Sequence, residues 1–210
     1  MKEFITIKEN VNTKIIEKKS KFIANLFYVE NSKEVEYIIK NIRKEHFDAR
    51  HNCFAYRVIE NNCIVEKCSD DGEPSGTAGN PMLKILQTNN LVNVLIIVTR
   101  YFGGILLGTG GLVRAYSDSL QLAIKESYLI TKCEGFELEL EVAYSEFENL
   151  KYYCKKNNIN IINTDYGENI ICKIEIDNSK KQKLLNDFET KKINIKQIKE
   201  LSKKYVIKSK

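Results

Sequence analysis

The chain is short of the residues that assemble most catalytic sets: 210 residues hold only two histidines, His46 and His51, and two prolines. With so few imidazoles, no Cys–His or Ser–His–Asp set assembles on sequence grounds. Cysteines stand at positions 53, 63, 68, 133, 154 and 172, yet no Cys-x-x-Cys pair occurs. That spacing argues against a zinc site, and without an export signal the thiols are expected to be reduced rather than joined in a disulfide framework. The N-terminal residues lack the charged-then-apolar pattern of an export signal. No apolar run approaches the roughly 20 residues that cross a bilayer, so no membrane partner is expected and the cytoplasm is the predicted location. Charge of one sign is also scarce. Against 28 acidic residues, 33 basic ones leave a net +5, which is compatible with nucleic acid without requiring it.

What is present suffices for one large or two small domains with real cores: 43% of residues are hydrophobic and 29% charged. Residues 12–29 read as extended. Asn31 and Ser32 then offer a helix cap, and Val35, Ile38, Ile39 and Ile42 share one helical face. Residues 51–58 and 62–68 flank Glu60-Asn61-Asn62 as a hairpin. Met82, Leu83, Ile85 and Leu86 suggest a helix with Pro81 at its first position. Residues 92–98 are almost wholly apolar, the mark of a strand buried on both faces. Leu112, Tyr116, Leu120 and Ala123 predict a long helix over 109–127.

Beyond residues 132–135 the pattern starts afresh, placing domains at 1–132 and 133–210. Phe136, Leu138, Leu140 and Val142 alternate with glutamates as a half-buried strand. A helix around Leu150, strands near 159–164 and 170–176, a helix around Leu184 and a last strand within 193–207 complete β-α-β-β-α-β. That is the split, ferredoxin-like pattern. The fold class is therefore α+β in two domains. Lys199, Lys203, Lys204, Lys208 and Lys210, opposed only by Glu200, read as a solvated tail.

Eight of the ten glycines fall within residues 69–79 and 99–116. In the second stretch, Gly103, Gly104, Gly108, Gly110 and Gly111 follow a buried strand and open a helix. A helix start preceded by bare backbone aims several N–H groups at one spot, with the helix dipole behind them. That makes an anion site for phosphate or carboxylate, with Arg100 and Arg114 beside it. The alternative is a tight turn with close helix–sheet packing. The spacing is neither a P-loop nor a dinucleotide fingerprint. In the first stretch Asp70, Asp71 and Glu73 sit on one loop near Ser75 and Thr77. They can hold Mg²⁺, cap backbone amides, or pair with Arg100 and Arg114. Charge balance favours pairing, which predicts that the two stretches meet in space. Tyr101 and Phe102 are candidates for stacking on bases, although a strand-end aromatic pair is usually core.

Residues 49–57, 69–79 and 99–116 together resemble the IMPACT/YigZ family, over roughly residues 15–130. The second domain is similar to that family in its β-α-β-β-α-β order and its Gly135-Phe136 opening. The resemblance implies a two-layer α/β first domain like ribosomal protein S5 domain 2. It implies a ferredoxin-like second domain similar to the last domain of elongation factor G. Small-metabolite kinases share the first fold and hold phosphate at a glycine-rich helix start, where Gly108-Thr109-Gly110-Gly111 stands here. The Ser-Ser that follows the glycine in those kinases is absent, so the resemblance carries an anion site rather than kinase chemistry. Eukaryotic members look like regulators of translation that act through an additional N-terminal domain, so their partner is not carried over.

These readings name Arg50, His51, Thr77, Arg100, Tyr101, Gly103, Gly104, Gly108, Thr109, Gly110, Gly111 and Arg114 as candidate anion or RNA contacts. The expected function is a non-enzymatic RNA- or ribosome-associated protein linked to translation regulation, with no cofactor. One alternative is a metal-dependent hydrolase or transferase using Asp70, Asp71 and Glu73 with Mg²⁺. The other is a protein-interaction module.

Overall fold

In the computed structural model, which describes residues 2–208, the chain divides into one unit over Glu3–Ile130 and a second from Thr131 onward. The first strand, β1 (Glu3–Ile7), is tied by a bridge from Ile5 to Leu91. β2 (Val11–Glu17) and β3 (Ser20–Tyr28) form a hairpin where the sequence suggested one extended run. The turn between them rests on Lys18 and Lys19, both at positive φ, 44° and 64°. Such turns usually carry Asn or Gly, so two lysines give no signal.

α1 (Ser32–Glu45) starts at Asn31, whose side chain accepts from the Glu34 amide. β4 (His51–Glu60) and β5 (Cys63–Ser69) pair around Asn61 and Asn62, both at positive φ as a tight hairpin needs. α2 (Gly79–Thr88) begins two residues before Pro81, which therefore sits in the first turn, where its missing N–H has no helical partner to lose. β6 (Val94–Tyr101) and α3 (Gly108–Glu126) follow.

The sheet order is β2-β3-β6-β4-β5, antiparallel throughout. Period-two alternation sends Phe22, Leu26, Ile96 and Val98 to one face, against Met82 and Leu86 of α2 and Tyr116 and Leu120 of α3. Phe54, Tyr56, Leu95 and Ile97 turn to the other face, against Val35 and Ile42 of α1. The sheet with α2 and α3 forms the expected two layers. α1 adds a third because β4 and β6 are apolar on both sides. Each large side chain buried this way contributes about 1.5–3 kcal/mol.

The second unit takes in β7 (Leu129–Val142) from Thr131 onward, then a short 3₁₀ turn, α4 (Phe147–Lys156), β8 (Asn160–Tyr166), β9 (Ile170–Asp177), α5 (Asn178–Glu189) and β10 (Gln197–Ile207). Its strands pair antiparallel in the order β10-β7-β9-β8. This is the β-α-β-β-α-β arrangement read from the sequence. Leu138, Leu140, Cys172 and Ile174 face Leu150 and Leu184 across the core. β7 passes unbroken through residues 132–135. The lysine-rich end is a strand rather than a tail: Lys204 on β10 bridges Glu137 at 3.2 Å and Glu175 at 2.8 Å. Lys210 lies outside the described residues.

Candidate functional site

Antiparallel pairing puts Arg100 of β6 beside both His51 of β4 and Phe22 of β3. The loop after β5 folds back over this strand end, and its carboxylates decide its shape. Asp70 accepts from the amides of Gly76, Ala78 and Gly79 at 2.8–2.9 Å. Burial alone would raise its pKa, but these three donors outweigh it and hold the carboxyl below its ordinary value. Asp71, at φ 43°, accepts from Arg43 Nη2 and from the Asn52 amide. Its carbonyl meets His51 Nδ1 at 2.9 Å.

Glu73 points inward. Its Oε1 accepts from Arg100 Nη1 at 2.7 Å and from the Tyr116 hydroxyl at 2.8 Å. Its Oε2 stands 3.9 Å from His51 Nε2. The Glu73 and Arg100 side chains are 3% and 7% exposed. The two glycine-rich stretches therefore meet, as charge balance predicted, and they meet in the protein interior. Cys53 completes the cluster, its Sγ 2.9 Å from the Asp70 carbonyl oxygen and 3.3 Å from the Tyr116 hydroxyl. Burial first, then the neighbouring carboxylates, push the Cys53 thiol up to about 12 against the pull of Tyr116. Burial, Cys53 and Glu73 push the Tyr116 phenol up as well. Both groups stay neutral at physiological pH, so this network is a rigid polar floor and holds no activated nucleophile.

The three carboxylates do not converge. Each faces different donors, and among the described residues no group of His, Cys, Asp and Glu has metal-holding geometry. Thr77, named as an anion contact, is turned inward, with its hydroxyl donating to the Pro74 carbonyl at 2.6 Å. Arg100 is committed to Glu73 and packs near the Phe22 and Phe102 rings. Tyr101 is half-buried, its hydroxyl 2.9 Å from His46 Nδ1 and donating to Asp48. Gly103 serves packing, since a Cβ there would lie 2.0 Å from the Lys19 carbonyl carbon.

What stays on the surface is narrower than the predicted set: Arg50, Gly104, Gly108, Thr109, Gly110 and Arg114 are exposed, with Gly111 partly so. α3 starts from Leu107, and no side-chain oxygen caps its first amides. A Cβ on Gly110 would meet nothing within 4 Å. Arg114, one turn in, makes no ion pair among the described residues. Beside this start, Phe102, Ile105 and Leu106 are 46%, 42% and 82% exposed. Sequence reasoning did not assign roles to Tyr116, Cys53 or Asn52. The only signal was Tyr116's place in the apolar repeat, which marks core and not a hydrogen bond.

Residues 18–124 match the family model described as the Impact N-terminal domain, and residues 140–188 match a domain of unknown function, DUF1949. The chain is similar to the IMPACT family member YvyE of Bacillus subtilis strain 168, at 36% identity over 80% of this chain and 76% of that protein. It is similar to the IMPACT family member YigZ of Escherichia coli strain K12, at 34% identity over 76% and 78%. A solved structure described as that of an hypothetical protein aligns with TM-score 0.64 and 29% identity, covering 96% of this chain and 98% of the other.

Proposed function

The chain belongs to the IMPACT family, and from that premise we propose that it is a non-enzymatic RNA- or ribosome-associated protein linked to translation regulation. The start of α3 grips phosphate. The observation that carries this reading is the bare helix start: Gly108, Thr109 and Gly110 are exposed, no side chain caps the first amides, and Arg114, one turn later, makes no ion pair among the described residues. Free amides at a helix start favour an anion, and an arginine at that end adds a charge-assisted contact. That Asp70, Asp71 and Glu73 are each held by donors of their own supports it too, because none of the three loop carboxylates is left unpaired to face a phosphate.

Binding through so few groups is weak and mainly electrostatic. Some 3–5 neutralised phosphates give a shallow dependence of log K on log salt, about 0.7 per phosphate on single strands. Fluorescence anisotropy with short RNAs and with ribosomal subunits, at two salt concentrations, tests it. Arg114→Ala should weaken binding equally across sequences and reduce the slope by about one contact. If neither RNA nor subunits bind at low salt, the reading fails. The exposed Phe102, Ile105 and Leu106 then favour a protein-interaction module.

A further inference from the structure

On the opposite face of the first unit, α1 and the edge strand β5 enclose a groove of ≈ 460 Å³. Phe54 and Tyr56 of β4 form its floor, their rings stacked at 6.4 Å with 14° between planes. Lys40, Arg43 and Lys44 of α1 and Lys67 of β5 line the walls, and Glu36 is the one carboxylate among the lining residues. Arg43 is held by Asp71. Lys40, Lys44 and Lys67 make no ion pair among the described residues. Three cations without an ion pair among the described residues, along one groove, call for an anionic occupant.

Two kinds of macromolecule fit that charge, and the groove distinguishes them. Stacking a nucleobase needs an exposed ring face, whereas Phe54 and Tyr56 are each 7% exposed. Adding a peptide strand needs a free sheet edge. β5 pairs only with β4 in the order β2-β3-β6-β4-β5, leaving one row of its N–H and C=O groups without a strand partner among the described residues.

We infer that the groove takes an acidic, extended segment of a partner protein, laid as a further strand along β5. Strand addition of this kind draws affinity from main-chain hydrogen bonds and specificity from alternate side chains. Every second side chain of the incoming strand faces α1, so carboxylates at those positions meet Lys40, Lys44 and Lys67. This surface is separate from the α3 start and does not depend on the phosphate reading.

The test is a random seven-residue peptide library, matched to the length of β5, selected on the full chain at low salt. The selected sequences should carry Asp or Glu at alternate positions. A synthetic consensus peptide should bind about tenfold more weakly to Lys40→Glu/Lys44→Glu/Lys67→Glu, provided thermal unfolding of that variant matches wild type. If the triple variant unfolds, Lys67→Gln alone should weaken binding about threefold. Amide shifts on titration should fall in residues 63–69 and 32–45. Selection without acid enrichment, affinity indifferent to these substitutions, or shifts that miss β5 overturn the proposal. A heptauridine RNA that displaces the peptide from the same amides and binds more tightly also overturns it, assigning the groove to nucleic acid.

Discussion

Deleting the Glu73 carboxylate probes most directly whether the acidic loop and β6 form one buried unit. In Glu73→Ala, Arg100 stays charged and buried, with Ser20 Oγ at 3.4 Å its remaining side-chain partner. Its Nε already lacks a hydrogen-bond partner. Breaking a buried ion pair from one side costs about 3–5 kcal/mol. The Tyr116 hydroxyl also loses its acceptor, a further penalty of about 1–3 kcal/mol when taken alone. Both act on one network and overlap, so the expected loss is about 4–6 kcal/mol, comparable with the whole stability of a small domain. Replacing both partners, as in Glu73→Leu/Arg100→Met, removes the stranded charge and should recover most of the loss, since such swaps are often neutral or stabilising. Urea unfolding should be read from the amide resonances of β6, so that the first unit alone is scored. Single and double variants then form a coupling cycle. A loss below about 1 kcal/mol for Glu73→Ala, typical of an exposed pair, would refute the argument. So would a double variant no more stable than the single one.

Asp70 has a lowered native pKa, because its three backbone donors outweigh burial. A depressed carboxyl stabilises the fold above its unfolded value and loses that contribution as pH falls through the native one. Wild-type urea midpoints should therefore fall more steeply below about pH 4 than those of Asp70→Asn, and parallel acid limbs would contradict the assigned donors. Gly103→Ala should cost about 3 kcal/mol by thermal or urea unfolding, because the added carbon meets the Lys19 and Ser20 backbone. Gly110→Ala points into open space and should stabilise the helix by about 0.5–1 kcal/mol while weakening RNA in the anisotropy assay. Cys63 is exposed and Cys53 buried. With its thiol pushed up to about 12 by burial first, Cys53 should resist an aromatic disulfide reagent at pH 8 until the protein unfolds, while Cys63 reacts at once.

The parts of this molecule legible in the sequence are those where one physical cause leaves one pattern. Apolar alternation marked β7 and β9, helical spacing marked α1 and α3, and Asn61-Asn62 marked the β4–β5 turn. That the acidic loop meets the arginine stretch was legible from charge balance, but which groups pair was not: only Glu73 and Arg100 do, while Asp70 holds amides, Asp71 holds Arg43 and Arg114 makes no ion pair among the described residues. Three features were not legible, because their residue types serve several causes. A loop aspartate looks the same whether it holds a cation or, like Asp70, three amides. Thr77 looks like a surface hydroxyl until its turn aims it at Pro74. Lys18 and Lys19 look like solvated charges, not a hairpin turn. The glycines show the ambiguity most clearly. Gly79 and Gly103 are where another backbone passes too close for a Cβ, while Gly110 has nothing within 4 Å of one. Packing explains the first two and leaves Gly110 unexplained. At that position the fold accepts alanine as readily as glycine, so Gly110→Ala separates the two causes: lost RNA affinity with a gain in stability is the outcome the proposed phosphate grip requires, and unchanged affinity would leave the bare helix start without a ligand.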